Sequence, residues 1–123
     1  MHRLRQKRVI AFASLGAAAA LYLSGSTRAS QGQVREFTLT GDHFTFAPGR
    51  LEVQKDDLVK ITFNAADMPH SFTIDSYRIA KRAGSGQRVV FEFRADQAGT
   101  FPFYCNLTQD ERCRQMKGEL VVR

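Results

Sequence analysis

Apolar and polar residues alternate with a period of two along most of the segment from 34 to 123. In DLVKITFN, for example, Val59, Ile61 and Phe63 alternate with polar neighbours. Successive side chains of a strand point to opposite faces, so this pattern predicts strands with one face in a core and the other in water. The same alternation occurs in VREFTLT, GRLEVQ, HSFTID, QRVVFEFR, GTFPFYC and KGELVVR.

Turn-forming residues separate these segments, as in TGD at 40–42, APG at 47–49 and GSG at 84–86. About seven to eight short strands joined by frequent turns predict an all-β sandwich or barrel of antiparallel type. Beyond the N-terminal segment, no stretch has the period of a long helix. The ten phenylalanines fall mostly at inward positions, and we assign them to the core without a functional role.

The first 29 residues have the layout of an export signal. A basic, acid-free MHRLRQKR is followed by an apolar stretch at 9–24 and then by small polar residues. The apolar stretch is short for a membrane span, which needs about 20 residues. We therefore expect a signal peptide at 1–29 and a single exported domain at 30–123, in the periplasm or another extracytoplasmic space. An uncleaved N-terminal anchor is the alternative, and only then would the protein contact a membrane.

The positive charge of the chain lies mainly in this leader. The whole sequence has 18 basic and 12 acidic residues, a net charge of +6. Five of the basic residues and none of the acidic ones precede residue 30, which leaves the domain near neutrality. A nearly neutral domain lacks the basic surface that nucleic-acid binding requires, so we expect no nucleic-acid partner.

Candidate metal ligands occur at the predicted strand ends. His70 starts one strand, Cys105 ends another, and Met116 closes the loop that follows and contains Cys113. A soft set of nitrogen and sulfur ligands favours copper, above all Cu(I), over magnesium, calcium or manganese. Zinc is disfavoured, because the cysteines lack CxxC spacing and methionine is not a usual zinc ligand. Cys105 and Cys113 are the only cysteines of the chain, and in an exported protein they can also form a disulfide.

From Phe44 onwards the sequence resembles the cupredoxins, the plastocyanin- and azurin-like copper proteins. The resemblance rests on FTFAPGRLEVQKDDLVKITFNAADMPHSFTI, GTFPFYC and the loop ending in MKGELVV. It implies a Greek-key β-sandwich and assigns copper ligation to His70, Cys105 and Met116. The loop has the length found in the binuclear copper domains of cytochrome oxidase subunit II and nitrous oxide reductase. However, Gln109 stands at the position of their second bridging cysteine and Cys113 at that of their histidine, which argues against a two-copper centre.

Three arrangements then remain for the ligand loop. Cys113 can itself be a ligand, so that His70, Cys105, Cys113 and Met116 surround one copper ion. Alternatively, Cys105 and Cys113 form a disulfide, or His43 supplies a second imidazole. His43 lies on another predicted strand and matches no ligand position of the family, so it is the least favoured.

We therefore interpret the sequence as an exported cupredoxin-like protein that binds one copper ion at His70, Cys105, Cys113 and Met116. One-electron transfer or envelope copper handling would be its function, with a redox partner protein or a copper donor or acceptor as partner. No catalytic arrangement is visible, and we do not expect an enzyme. The rival hypothesis is a metal-free interaction or structural module stapled by a Cys105–Cys113 disulfide.

Overall fold

The computed structural model describes residues 32–123, together with the isolated residue Gly16. The predicted signal or anchor at 1–29 therefore lies outside the described residues, apart from Gly16. The described part contains nine strands and two short 3₁₀ helices, at Asp75–Tyr77 and Glu111–Gln115. The strands are β1 Val34–Asp42, β2 Thr45–Ala47, β3 Arg50–Val53, β4 Leu58–Ala65, β5 His70–Ile74, β6 Ile79–Ala83, β7 Arg88–Arg94, β8 Gly99–Tyr104 and β9 Lys117–Val122.

The strands form two sheets, with orders β2-β1-β4-β7 and β3-β9-β8-β5-β6. The predicted all-β sandwich is confirmed, but each sheet is mixed rather than purely antiparallel. β1 pairs with β4 in parallel, and β3 pairs with β9 in parallel. The parallel β1–β4 pair arises because the chain passes to the other sheet for β3 before it returns to β4 beside β1.

The core lies between the sheets and is rich in phenylalanine. The ring centroids of Phe72 and Phe103 are 4.9 Å apart, and those of Phe46 and Phe103 are 5.0 Å apart. Phe63 and Phe91 complete this buried aromatic group. Each such pair adds about 0.5–1.5 kcal/mol beyond simple burial, so the aromatic group is a main source of stability.

The sequence pattern did not predict two of the strands. β2 is only three residues long, too short to show alternation. β6 is an edge strand in which Ala80, Lys81 and Arg82 are all exposed, so its sequence IAKRA lacks a regular apolar face. An edge strand pairs on one side only, and β6 is held by its backbone pairing with β5. It therefore forms without an alternating hydrophobic pattern.

The alternation in β5 was also misleading, because every residue of this strand is buried. Ser71 and Thr73, which the pattern predicts to face water, are only 1% and 4% exposed. β5 lies between β8 and β6, and Tyr104 stands directly opposite Thr73. Neighbouring side chains on the outer face of the sheet thus cover the polar positions of this interior strand.

A buried carboxylate joins the first described residues to the sandwich. Asp57 is 2% exposed, and its oxygens accept hydrogen bonds from the backbone N–H groups of Gln33 and Gln54, both at 2.8 Å. Arg35 Nε lies 3.4 Å from the same carboxylate. Burial opposes ionisation, but the hydrogen bonds from Gln54, Gln33 and Arg35 outweigh it and lower the pKa of Asp57.

We expect Asp57→Asn to lower the free energy of unfolding by about 1.5–3 kcal/mol at neutral pH, since hydrogen bonds to a charged group are lost. The lowered pKa in the folded state means that the carboxylate stabilises the fold above the ordinary Asp pKa of about 3.9. This contribution disappears as the pH falls through the folded-state pKa. Urea unfolding as a function of pH should therefore show the wild type and the variant converging in acid.

The neighbouring Asp56→Asn is the matched control, because asparagine tolerates the positive φ of 72° at this position. It should leave the free energy of unfolding at neutral pH close to the wild-type value. If the unfolding free energies of wild type and Asp57→Asn differ by a constant amount at every pH, Asp57 is not the group responsible for the pH dependence.

Candidate metal centre

The fold brings all four predicted ligands to one end of the sandwich. His70 opens β5 and Cys105 directly follows β8, and these two strands are antiparallel neighbours. Cys113 lies in the 3₁₀ helix of the following loop, and Met116 immediately precedes β9. His70, Cys105 and Met116 are 0% exposed and Cys113 is 2% exposed, so the ligand candidates are shielded from bulk water.

One nitrogen of the His70 ring has a partner and the other does not. Nε2 lies 2.7 Å from Oδ1 of Asp67, whereas Nδ1 is buried without a hydrogen-bond partner. The carboxylate accepts a hydrogen bond from Nε2–H, which leaves the lone pair of a neutral ring on Nδ1. This is the usual arrangement of a metal-binding histidine, in which a second group fixes the tautomer and the ring orientation.

Hydrogen bonds keep Asp67 ionised beside this ring. Burial opposes its ionisation, but the bonds from the His70 ring and from the backbone N–H of His43 outweigh burial and lower the pKa of Asp67. The His43 bond is 3.0 Å long and ends on Oδ2, so each carboxylate oxygen serves a different segment of the chain. Asp67 thereby joins His70 to the turn between β1 and β2.

The turn between β1 and β2 also packs against the His70 ring. Phe44 contacts this ring edge-to-face, with centroids 5.9 Å apart. A Cβ atom at Gly41 would come within 3.2 Å of two ring atoms of His70, so the absence of a side chain there lets β1 approach the imidazole. His43 and Phe44 both have positive φ, at 48° and 59°, which non-glycine residues adopt infrequently. Such local strain is common where a loop serves a functional site.

The assignment of the phenylalanines to a core without a functional role is wrong for Phe44. Its ring packs against the His70 imidazole, and the Arg112 guanidinium lies over the ring at 4.4 Å from the centroid. The sequence held a partial signal, since GDHFTF follows a turn and is not a core-strand pattern. Which residue this turn would meet depends on the tertiary fold.

A second set of hydrogen bonds fixes the start of the ligand loop. The backbone N–H of Ser71 donates to Cys105 Sγ at 3.4 Å. Asn106 N–H donates to Ser71 Oγ, and the Ser71 hydroxyl donates to Asn106 Oδ1, both at 2.7 Å. Sequence reasoning missed Ser71 and Asn106 as parts of the site, because their pairing depends on the register of β5 against β8.

The two cysteines are joined as a disulfide in this structure. Their Cα atoms are 5.2 Å apart, within the usual range for a disulfide, so the alternative of a Cys105–Cys113 bridge is the one seen here. A cysteine binds a metal ion as its thiolate, so the oxidised form cannot offer the two-thiolate set.

His43 does not join these ligands. Its side chain is 86% exposed, and Nδ1 lies 2.8 Å from Oδ1 of Asp42. Asp42, His43 and Asp67 each place a potential ligand atom within 4.8 Å of the others. Both oxygens of Asp67 already accept hydrogen bonds, so we interpret this group as part of the turn that supports His70.

A cavity of about 300 Å³ lies against the ligand loop. Cys113 forms part of its wall, whereas Cys105 does not. Pro69, Arg82 and Gln109, which also line it, are exposed, so the cavity opens to solvent. The remaining wall residues are Phe44, Met68, Leu107 and Asp110.

Comparison with known proteins identifies the family. The family model described as a cupredoxin-like domain matches residues 12–122, and the chain belongs to this family. The resemblance seen in the sequence is thereby confirmed, and so is the fold it implies. A comparison with curated proteins gives no match.

Several solved structures share the fold at low sequence identity. The metal-binding domain of the Cu(I)-exporting P-type ATPase of Streptococcus pneumoniae, solved with Cu(I), is 18% identical with a TM-score of 0.63, covering 73% of this chain and 86% of that chain. Auracyanin A, a blue copper protein from Chloroflexus aurantiacus, is 18% identical with a TM-score of 0.62, covering 73% and 99%. The periplasmic domain of cytochrome oxidase subunit II of Bradyrhizobium japonicum is 15% identical with a TM-score of 0.63, covering 72% and 83%.

The fold also occurs in proteins named as multicopper oxidases, so it is shared by enzymes and by proteins that are not enzymes. At these identities the likeness defines the fold only. In the part of the chain that the structure describes, no helix is long and apolar enough to cross a bilayer.

Proposed function

We propose that the reduced protein binds one copper ion through His70 Nδ1, the thiolates of Cys105 and Cys113, and the thioether of Met116. The observation that carries this proposal is the buried Nδ1 atom without a partner, on a ring held by Asp67 at 2.7 Å. An unpaired polar atom in the interior costs free energy, and such atoms are rare unless a ligand satisfies them. Copper, when bound, would add redox chemistry at this buried end of the sandwich.

The donor set fits Cu(I) best. Two thiolates, a thioether and one imidazole are soft ligands, and Met116 and both cysteines are buried against apolar neighbours. The Ser71 N–H that donates to Cys105 Sγ would stabilise the thiolate form of this sulfur. Soft donors of this kind favour Cu(I) over harder, more strongly hydrated ions.

Copper handling in the cell envelope fits this site better than one-electron transfer by a permanently bound ion. Both functions belong to the proposed class of copper-binding proteins. A two-electron oxidation that joins the two cysteines removes both thiolate ligands at once, and the site would then release its ion. Copper would pass between this protein and a donor or acceptor protein, or electrons would pass to a redox partner. We propose no enzymatic reaction, and we propose export on the basis of the leader at 1–29.

A metal-free interaction or structural module is the second candidate, and the Cys105–Cys113 disulfide favours it. In that case the bridge is permanent and serves stability. It would add about 2–3 kcal/mol by restricting a short loop in the unfolded chain. The buried Nδ1 of His70 would then have no ligand to satisfy it.

A copper titration of the two redox forms tests the choice between these candidates. Protein reduced under anaerobic conditions should show two reactive thiols and bind one Cu(I) per chain in competition with a chromophoric chelator. The disulfide form should bind at least about 100-fold more weakly, since it lacks both thiolates. No binding by the reduced form would support the metal-free module, and equal affinity of the two forms would show that the thiolates are not ligands.

A further inference from the structure

We propose that the Cys105–Cys113 disulfide is a thiol–disulfide exchange site at which an external dithiol reductant attacks Cys113 and displaces Cys105. This reactivity goes beyond copper binding and does not depend on it. The proposal rests on a marked asymmetry between the two cysteines, which differ in access and in the groups that contact their sulfurs.

Access favours Cys113 as the point of attack. Cys113 forms part of the wall of the cavity of about 300 Å³, whose other lining residues include the exposed Pro69 and Gln109. Cys113 is only 2% exposed and Cys105 is 0% exposed, so the two cysteines differ in that Cys113 lines the cavity whereas Cys105, directly after β8, does not. A thiolate that enters the cavity therefore reaches Cys113 first, and access is one of the factors that set the rate of exchange.

The surroundings of Cys105 make it the better leaving group. The backbone N–H of Ser71 donates to Cys105 Sγ at 3.4 Å, and this donor belongs to the buried strand β5. Hydrogen bonds to an ionised acceptor are stronger than those to a neutral one, so this contact strengthens as negative charge develops on the departing sulfur. The fold thus stabilises the negative charge that develops on Cys105 when the bridge opens.

Charge at the cavity is also suited to an anionic attacking group. The exposed Arg82 lines the cavity and brings a guanidinium to its wall. Asp110, the acidic residue of the wall, is paired with Arg112 at 2.8 Å, so its negative charge is largely compensated. Uncompensated positive charge near a pocket raises the local concentration of an attacking thiolate.

The exchange proceeds in two steps. In the first, the reductant thiolate forms a bond to Cys113 Sγ, the Cys105–Cys113 bond breaks, and Cys105 leaves as a thiolate. In the second, the other thiolate of the dithiol attacks the reductant sulfur of the mixed disulfide and releases Cys113 as a thiolate. Two electrons pass from the dithiol to the protein, the dithiol becomes a disulfide, and its two protons pass to solvent or to the released thiolates.

This chemistry assigns a partner of defined type to the protein. A dithiol reductant that opens the bridge produces both sulfur ligands in a single reaction. If copper binds at the reduced site, copper uptake follows reduction of the bridge. The exchange site is then the control point for the metal centre, although its reactivity can be measured without any metal.

Mapping the first adduct tests the proposal directly. The oxidised protein, free of copper, is exposed briefly to glutathione, acid-quenched, alkylated and digested, and the peptides are analysed by mass spectrometry. We expect glutathione on Cys113 and the alkylating group on Cys105, in at least about tenfold excess over the reverse arrangement. Dithiothreitol, which supplies a second thiol, should carry the same protein to the free dithiol.

Charge substitution provides an independent measurement with a matched control. Arg82→Gln should slow reduction by glutathione by about 1.5- to 5-fold, the range expected for one exposed charge interaction, and added salt should reduce the difference. Arg88→Gln, an exposed arginine on β7 outside the cavity, should react at the wild-type rate. These measurements contain no copper, so their result is separate from that of the copper titration.

Two results would overturn the proposal. Glutathione found first on Cys105, or equally on both cysteines, would remove the assigned asymmetry. Reduction that occurs only in urea, with no reaction of the folded protein, would show that the bridge is a purely structural link.

Discussion

Replacing His70 by Ala is expected to lower the Cu(I) affinity of the reduced protein by more than about 100-fold. His70 is the only imidazole among the four proposed ligands, and its free Nδ1 is held in place by Asp67. Loss of a group that merely orients a ligand costs about 10–100-fold in metal affinity, and loss of the ligand should cost more. Competition with a chromophoric Cu(I) chelator measures the change, and circular dichroism checks the fold.

Two further variants make this result specific. Asp67→Asn keeps the ligand but weakens its orientation, so its affinity should fall by about 10–100-fold, between wild type and His70→Ala. His43→Asn removes the other described histidine, which is 86% exposed, and asparagine tolerates its φ of 48°. This control should bind copper as wild type does. Wild-type affinity in folded His70→Ala would remove His70 from the site.

Replacing Cys113 by His is expected to produce a strongly coloured Cu(II) protein. The variant would offer two imidazoles, one thiolate from Cys105 and the thioether of Met116, which is the ligand set of blue copper sites. The disulfide can no longer form, so Cys105 is free to bind the ion. Cys113 borders a cavity of about 300 Å³, which leaves room for the larger ring.

Cys113→Ser is the matched control for this experiment. Both variants lose the disulfide and should therefore lose about 2–3 kcal/mol of stability. Only the His variant should gain an intense thiolate-to-copper absorption band, because serine supplies no comparable ligand. A folded but colourless His variant would contradict the assignment of residue 113 to the metal centre.

The sequence predicted the strands well where one face of the strand lies in the core and the other faces solvent. β4 and β7 show clear alternation, and the inward positions Val59, Ile61, Phe63 and Phe91 are buried as expected. The pattern was less informative for β5, where Ser71 is buried by its surroundings, and for β6, which follows no pattern. The parallel pairs β1–β4 and β3–β9 were not predicted, since period-two alternation carries no information on strand direction.

The sequence also indicated the four candidate ligands of the site. It did not indicate the residues that hold those ligands in place. His70, Cys105, Cys113 and Met116 lie at one end of the fold, as the resemblance implied. Their spacing is compatible with a disulfide and with a shared ion, so the sequence left the state of the cysteines open. Phe44 approaches the site through the β1–β2 turn and Asn106 through the strand register, and both of these are tertiary features, whereas Asp67 lies only three residues before His70.

The two hydrogen bonds accepted by Asp67 would couple metal binding at His70 to the docking of any protein on the β1–β2 turn. One oxygen holds His70 and the other holds the backbone of His43, so the turn and the metal-facing imidazole share one anchor. A partner that binds this turn in the arrangement seen here would favour the ring orientation that ligates the ion. Linkage is reciprocal: by whatever factor docking raises metal affinity, metal binding raises the affinity for that partner. Loaded and empty protein would then be distinguished by a surface that never touches the ion.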